Sequence, residues 1–153
     1  MQGAIIATNL LLVPNPAERA LRFVKISQTE LSSILRLYEG VMSYACHGLF
    51  FREGEALADQ LAELCKGPED MIAGARKILI ARGWIEDATI GFSEVRVKGS
   101  VEVITGSELA TCHRLRGILS RLYTIKEKKS IRFAEIACQS TGSQECVFKP
   151  EVS

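Results

Sequence analysis

The chain has 153 residues, 47% of them hydrophobic, and a formal net charge of +1. This length suits one domain, residues 1–153, with a sizeable core, and the hydrophobic content is too high for a disordered chain. The mixed charges argue against a nucleic-acid-binding stripe or a polybasic membrane patch, and no apolar run reaches the roughly 18 residues of a membrane span. Five cysteines, an odd number without an export signal, predict a reducing, cytoplasmic location.

The first part of the chain predicts an entry strand followed by two helices. The apolar segment Ile5–Val13 favours a strand or a dimer contact, and Ala17–Ile26 is compatible with either a helix or a strand. The segment Ser27–Glu30 has the Ser-x-x-Glu form of a capping box, so a helix is expected to begin there. Gly40 is expected to interrupt that helix, and a longer one to run from about Val41–Leu64.

The longer helix contains residues that are unusual in a helix interior. Gly48 and Gly54 each cost about 1 kcal/mol there relative to alanine. They favour either the close approach of another helix or a ligand, or a simple kink in a core helix. His47 is compatible with a core position, with a polar contact in a ligand cavity, or with an exposed position.

The middle of the chain predicts one helix and then a β-hairpin. Gly67–Asp70 combines a glycine after one helix, a proline at the start of the next and acidic residues in its first turn. The helix that follows is expected to end at Gly83. A β region, Ile85–Val97, is expected to turn at residues 98–100 and to pair with a strand at Val101–Ile104.

The last third of the chain predicts a helix followed by a second hairpin. Ser107 is the expected N-cap, which places Cys112 about one and a half turns into the helix. Ile131–Cys138 is strand-like, Thr141–Ser143 has turn chemistry, and Glu145–Lys149 predicts a short closing strand. Helices followed by two hairpins that one helix separates predict an α+β fold with an antiparallel sheet packed against several helices.

Three cysteines and one glutamate of this last third have the composition of a metal site: Cys112, Glu135, Cys138 and Cys146. Three thiolates and a carboxylate satisfy the four-coordinate demand of Zn²⁺, which predicts a closed structural site. A regular strand would send Glu135 and Cys138 to opposite faces, so the strand must end, bulge or bend between them. On spacing alone the alternative stays open, in which the cysteines are small buried hydrophobes and the glutamate is solvated.

The motifs around these residues are more specific than their spacing. They are Cys112 on a helix with Gly117, Glu135-x-x-Cys138 at the end of a strand, and the closing segment Thr141–Phe148. They resemble the 4-vinyl reductase domain family, small-molecule-binding domains that include the sensor domains of phenol- and xylene-responsive transcription activators. The resemblance covers the last third of the chain closely and the rest in outline.

The resemblance implies a fold like that of TRAPP tethering subunits and nitric oxide sensors, a homodimer, and zinc bound by all four motif residues. It also implies an apolar cavity beside the zinc that accepts aromatic or hydrocarbon molecules. The candidate cavity residues are the aromatic Trp84, Phe92 and Phe133, with His47 and Tyr123 as polar contacts. The alternative for each of them is a plain position in the core.

Enzymatic activity has little support in the sequence. No nucleophile elbow, dinucleotide fingerprint or phosphate-binding loop is present, and zinc held by four side chains leaves no coordination position for water. His113, beside Cys112, is compatible with a neighbour of the metal ligands or with a surface position, and the surface is favoured. We therefore expect a small-molecule sensor domain that signals to a protein partner and binds no nucleic acid. The alternatives are a thiol redox sensor, an interaction scaffold and, less favoured, an accessory to a vinyl reductase.

Overall fold

A computed structural model describes residues 22–65, 67, 69–91 and 93–151. Within them, four α-helices and one four-stranded antiparallel sheet confirm the α+β class. The elements are α1 (Gln28–Met42), α2 (Cys46–Leu64), α3 (Met71–Ala81), β1 (Asp87–Ile90), β2 (Val95–Lys98), α4 (His113–Glu127), β3 (Phe133–Ala137) and β4 (Cys146–Pro150). The predicted strand Ile5–Val13 and most of the ambiguous segment after it lie outside the described residues.

The first helix begins where the sequence predicts but ends later. Ser27 and Glu30 form the complete capping box, with each side chain accepting a hydrogen bond from the other residue's backbone N–H. Gly40 does not interrupt α1. The break follows at Ser43, whose φ of 52° is incompatible with a continuing α-helix, and a short 3₁₀ turn then leads into α2.

Two glycines bring α2 and α4 into backbone contact. A Cβ atom added to Gly54 would lie 2.0 Å from the carbonyl oxygen of Arg114, and one added to Gly117 would lie 2.0 Å from that of Phe51. Larger residues would therefore force the helices apart. Of the two α2 glycines that the sequence singled out, Gly54 allows the close approach of α4. Nothing lies within 4 Å of a Cβ atom built on Gly48.

The first hairpin is tighter than predicted. Its turn lies between Ile90 and Val95, inside the single strand that the sequence suggested, and Gly91 N donates to the Glu94 carbonyl at 2.9 Å. The turn expected at residues 98–100 leads instead into a loop, in which Val101 N donates to the carbonyl of Trp84 at 2.8 Å. The expected strand at residues 101–104 is therefore wrong, because its backbone N–H groups bond to Trp84, Ser100 and Ser140 rather than to a neighbouring strand.

The sheet has the order β1-β2-β4-β3, and α4 packs against both β3 and α2. Because neighbours lie on several sides of it, α4 is buried at eight positions. One hydrophobic cluster joins α2, α3, the β1–β2 hairpin, α4, β3 and β4, and its members include Leu61, Leu79, Val97, Ile118, Phe133 and Phe148.

Candidate metal centre and neighbouring cavity

The N-terminus of α4 lies directly beside β3. Ser107 does not cap this helix. Its Oγ donates to the carbonyl of Leu109 at 2.8 Å and accepts from the N–H of Leu109 at 3.2 Å, which closes a separate turn. The helix begins at His113, so Cys112 holds the N-cap position rather than the second turn. The backbone N–H of Cys112 donates to Oε2 of Glu135 at 3.1 Å, which fixes the helix terminus to the strand.

A carboxylate that sequence reasoning missed satisfies two further backbone donors in the first turn of α4. Glu102, only 6% exposed, accepts from Arg114 N at 3.0 Å and from Leu115 N at 2.9 Å. Burial raises the pKa of Glu102 to about 7, and these two hydrogen bonds only partly oppose that rise. The one sequence signal for this role is an acidic residue in an otherwise apolar loop segment. Glu102 thereby determines where α4 starts and where Cys112 lies.

The β3 strand contains the irregularity that the metal hypothesis required. Its register against β4 shifts between Glu135 and Ala137, which leaves Ile136 as a bulged residue whose side chain is 55% exposed. The bulge turns Glu135 and Cys138 toward the same point, although regular strand geometry would separate them.

A tight loop joins Cys138 to Cys146 and turns backbone donors toward both sulfur atoms. Gln139 N donates to Cys146 Sγ at 3.3 Å, and Ser140 N donates to Cys138 Sγ at 3.4 Å. Gly142 supplies the left-handed conformation of this loop, with φ of 98°. Backbone N–H groups directed at sulfur favour the thiolate form.

The four candidate side chains converge on one point. Their ligand atoms all lie within 4.8 Å of one another. The sulfur of Cys146 is 3.7 Å from that of Cys112 and 3.9 Å from that of Cys138. Thiolates at tetrahedral zinc, about 2.3 Å from the ion, are about 3.8 Å apart. The spacing matches a metal centre, and all of these thiols are free.

Hydrogen bonds among these side chains and their burial keep most of this cluster protonated without a cation. Hydrogen bonds from Cys112 and then Cys146 lower the pKa of Cys138, so one thiolate forms. Cys112 donates a hydrogen bond to this thiolate and is buried. Both effects raise the pKa of Cys112 well above the ordinary value. Cys112 lowers the pKa of Cys146, but donation to Cys138 and burial outweigh this effect and raise it to about 12. Burial, and then the charge on Cys138, raise the pKa of Glu135 to about 8. A divalent cation would lower these pKa values, because it stabilises the deprotonated ligands.

One buried atom also lacks the partner that a cation would supply. Oε1 of Glu135 is buried and has no hydrogen-bond partner, while Oε2 accepts from the Cys112 backbone. Buried carboxylate oxygens are normally hydrogen-bonded or bound to metal. The donor set, its spacing and this unpartnered oxygen therefore fit a divalent metal ion.

His113 is buried, so the expectation of a surface position is wrong. It is 8% exposed, and its ring stacks on that of His47 with centroids 3.9 Å apart. Burial lowers the pKa of His113 to about 3, which keeps the imidazole neutral. Nε2 of His47 is 2.6 Å from Oε1 of Glu39, so this candidate ligand contact lies where α1 and α2 meet.

The other candidate ligand contacts lie in the main hydrophobic cluster. Tyr123 and the fully buried Phe133 meet edge to face, with centroids 4.8 Å apart. Trp84, after α3, is half-buried and packs against the same cluster. His47 is not part of it, and Phe92 lies outside the described residues.

A small apolar cavity lies inside this cluster. Its volume is about 20 Å³, and its walls come from α3, the β1–β2 hairpin and α4, among them Ile72, Leu79, Val95, Val97, Leu119 and Leu122. Arg76 lies at its margin, where Nε donates to the Ala88 carbonyl at 2.6 Å and the guanidinium pairs with Asp87. The thiols of Cys112, Cys138 and Cys146 belong to the same cluster, so the cavity and the metal candidates share one core.

A second, wider pocket has a different character. It measures about 540 Å³ and includes Gln28, Glu86, Ser100 and Gln139 among its lining residues. Ile80, Ile85, Val101 and Val103 line it as well, so its walls mix polar and apolar residues, unlike the mainly apolar walls of the first cavity.

No helix among the described residues is both long and apolar enough to cross a membrane.

Comparison with known proteins gives matches among solved structures only. No family model matches the chain, and no curated protein matches it. The phenol-responsive sensory domain of the transcription activator PoxR, in complex with phenol, superimposes with a TM-score of 0.70 at 18% identity, over 85% of this chain and 77% of that one. A vinyl-4-reductase family protein from Methanocaldococcus jannaschii superimposes with a TM-score of 0.62, also at 18% identity, over 85% of this chain and 83% of that one. The expected structural resemblance is confirmed, and at this identity it establishes the fold.

Proposed function

From the shared fold as the premise, we propose that the domain binds a small apolar or aromatic molecule in the cavity among α3, the β1–β2 hairpin and α4, and that a structural zinc ion stabilises the core beside it. The observation that carries this proposal is the Cys₃Glu cluster, in which four metal-ligand side chains meet within the core that also surrounds the cavity.

The ligand set favours zinc over other divalent ions. Three soft thiolates disfavour Mg²⁺ and Ca²⁺, which prefer oxygen, and four ligands complete the tetrahedral geometry of structural zinc. Cys112 brings α4 to the ion, Glu135 and Cys138 bring the end of β3, and Cys146 brings β4. The role of such an ion is to tie one helix to the terminal hairpin.

A ligand must widen the cavity before it can bind. An engineered cavity of about 150 Å³ accepts benzene, whereas this one measures about 20 Å³. Separation of α3 from β1 would supply the space, because Arg76 links these elements mainly through contacts near the surface. The apolar walls select an aromatic or hydrocarbon molecule over a polar one.

The candidate contacts fit this proposal to different degrees. Phe133 and Tyr123 are proposed as ligand contacts because they pack in the same core, and Trp84 as one at its margin. His47 lies beside the metal candidates through its stack on His113, so we propose for it an indirect role. The role of Phe92 stays a prediction.

The proposed activity is binding rather than catalysis. An ion held by all four side chains has no vacant position to activate water. The PoxR domain is a phenol-responsive sensory domain, and we propose a sensory role here, with a signalling protein as partner and the cytoplasm as location.

Homodimerisation is proposed through the exposed face of α1 and the 3₁₀ turn that follows it. Leu37 is 64% exposed, Val41 78% and Tyr44 64%, and residues 23–49 hold most of the large exposed hydrophobic side chains described. Apolar surface concentrated in this way is typical of a protein interface.

Native mass spectrometry of the purified protein tests the metal and the dimer together, since it reports bound ions, subunit number and any retained molecule. We expect one zinc ion per chain. Protein that folds fully and takes up no zinc on titration would refute the metal site.

A ligand panel tests the cavity. Trp84 is the only tryptophan, so its fluorescence reports directly on the core, and phenols and alkylbenzenes should shift both its emission and the melting temperature. Ala75→Leu fills the cavity wall and should abolish the response, while Ala73→Leu, on the exposed face of the same helix, should retain it. An equal response from both variants would place the ligand elsewhere, and no response in the wild type would favour the scaffold alternative.

A second candidate function, thiol redox sensing, has one specific observation in its favour. The sulfur atoms of Cys112, Cys138 and Cys146 are near enough for two of them to form a disulfide after small shifts. Hydrogen peroxide would take two electrons from two thiols, giving a disulfide and water, and would remove two metal ligands. Peroxide titration with a zinc-release dye tests this candidate, and retention of the metal at every dose would exclude it.

A further inference from the structure

A groove between α1 and α2, separate from the apolar cavity, has the dimensions of a ligand site. Its volume is about 300 Å³, at the lower end of the roughly 300–1,000 Å³ typical of small-molecule pockets. Leu31, Ile34 and Tyr38 of α1 and Leu49 and Phe50 of α2 supply its apolar walls. We call it the α1–α2 groove.

The floor of the α1–α2 groove contains a buried positive charge. The side chain of Arg114 is 6% exposed, and its guanidinium lies 4.2 Å from the centroid of the Phe50 ring. Arg114 Nε donates to Oε2 of Glu53 at 2.9 Å, and Nη1 lies 3.6 Å from Oε1 of Glu102. An apolar groove that ends on a guanidinium suits a molecule with an apolar tail and an anionic head.

The two carboxylates on Arg114 differ in how firmly they are held. The side chain of Glu102 is 3% exposed, and both its oxygens accept backbone N–H groups of α4. The side chain of Glu53 is 51% exposed and bonds to Arg114 at the rim of the groove. Glu53 can therefore turn into water itself, but its departure leaves the buried Arg114 guanidinium in need of another anionic partner.

If a ligand carboxylate replaced that of Glu53 on Arg114, the net charge around the guanidinium would stay the same. If Glu53 turned outward without replacement, Arg114 would lose its shortest charge-assisted hydrogen bond. A neutral ligand cannot restore that bond with the same strength, and a cationic one would be repelled. The head group that the floor favours is thus a carboxylate.

We propose that the α1–α2 groove binds a small alkyl or aryl monocarboxylate, whose head group replaces Glu53 on Arg114 and whose tail lies along the apolar walls. This site goes beyond the proposed function, since it uses neither the metal residues nor the apolar cavity. It adjoins the proposed dimer face, because Leu37 and Val41 lie one and two helical turns after Ile34 on a neighbouring part of α1.

Octanoate and its neutral analogue 1-octanol provide the direct test, by calorimetric titration into the full-length, metal-loaded protein. We expect octanoate to bind and 1-octanol to bind at least about tenfold more weakly. Glu53→Gln removes the charge of the internal competitor and should tighten octanoate binding about tenfold. Glu55→Gln is the matched control. It removes one carboxylate from the same helix, where its partner is the exposed Arg52, and should leave the affinity unchanged.

The same samples distinguish failure of this proposal from failure of the proposed function. Zinc content and the phenol response should be equal in the wild type and in Glu53→Gln, and saturating phenol should not displace octanoate. Competition by phenol, or loss of octanoate binding in Ala75→Leu, would assign octanoate to the apolar cavity and overturn the groove site.

Three further results would overturn the groove site. They are the absence of binding in both the wild type and Glu53→Gln, equal affinities for octanoate and 1-octanol, and binding that appears only when the protein is diluted to monomers. The last of these would show that a second copy of the chain covers the groove.

Discussion

Helices α1 and α4 have the same length, 15 residues, but α4 buries eight of its positions and α1 buries only Leu35. Both sequences repeat apolar residues at helical spacing, so the pattern alone does not distinguish them. The difference comes from their surroundings. One helix contacts a sheet and a second helix, while the other leaves Leu37 and Val41 exposed. Helical stability in proteins comes mainly from such packing, which makes α4 the stable core and α1 the adaptable surface.

The two helices are also capped by different chemistry. The N-terminus of α1 is capped by exposed Ser27 and Glu30, which are close in sequence. The N-terminus of α4 is capped by buried Glu102, and its N-cap residue is a candidate metal ligand. A local cap needs only the right neighbours along the chain, whereas a distant cap forms only when the fold is complete.

The strongest expected effect comes from removing a metal ligand beside α4. Cys138→Ser should lose the ion and lower the unfolding free energy by at least about 3 kcal/mol, because binding to the folded state alone adds directly to stability. Cys65→Ser, a thiol outside the cluster, is the control and should change little. Chemical denaturation measures the unfolding free energy of each variant, and zinc analysis of the same samples measures the bound metal. Unchanged stability with one zinc ion still bound would refute the role of Cys138.

The next largest effect should come from the contact between α4 and α2. Gly117→Ala places a methyl group against the carbonyl oxygen of Phe51, where a Cβ would lie at 2.0 Å, and should cost about 3 kcal/mol. Gly48→Ala, in α2 with free space around it, should instead stabilise the protein by up to about 1 kcal/mol. Thermal unfolding of both variants checks the contrast, and equal melting temperatures would contradict the backbone contact.

The contributions of the two helix caps, Glu102 and Glu30, to the stability of the protein should change with pH in opposite directions. The pKa of Glu102 is raised to about 7, so its contribution to stability is complete below its unfolded value, near 4.5, and is lost as the pH rises through 7. Relative to Glu102→Gln, the wild type should lose up to about 3 kcal/mol across that window.

Glu30 at α1 should behave in the opposite way. Hydrogen bonds from the backbone and side chain of Ser27 lower the pKa of Glu30, so its contribution is present above pH 4.5 and is lost as the pH falls through the lowered value. Urea unfolding of wild type, Glu102→Gln and Glu30→Gln across this range measures both signs. If the unfolding free energies of the wild type and of Glu102→Gln changed with pH in the same way, Glu102 would not titrate as expected.

The smallest effect on stability should come from the exposed face of α1. Val41→Glu should change the unfolding free energy of the monomer by no more than about 0.5 kcal/mol, yet it should shift a dimer toward monomer because a charge is buried at the interface. Sedimentation at several concentrations measures this shift, with Lys129→Glu as an exposed control on another surface. A dimer that persists in Val41→Glu would move the interface away from this face.

Local chemistry made several elements predictable. The capping box at Ser27 and the end of α3 before Gly83 follow from residues that are adjacent in the chain, whereas α3 begins later than predicted, at Met71 after Asp70. The bulge in β3 was predictable because a shared site for Glu135 and Cys138 is incompatible with a regular strand. The four metal candidates were identified by composition and motif, and the structure brings them together. Whether they bind zinc stays a prediction.

Other features depend on contacts between residues that are far apart in the sequence. Ser107 has the local character of an N-cap, but Glu102 satisfies the α4 backbone from another loop, so the helix starts later than predicted. The first hairpin turns at Gly91 rather than at residues 98–100, because residues 95–97 pair with β4 on one side and with β1 on the other.

The sequence by itself determined the α+β class, the terminal hairpin and the set of side chains able to hold an ion, because these depend on periodicity, turn chemistry and donor type. Only the tertiary structure decided that Cys112 caps α4, that Arg114 lies beneath a groove, and that the apolar cavity measures only about 20 Å³. Those features depend on the relative positions of elements far apart in the chain. Packing sets these positions, and no short stretch of sequence encodes them.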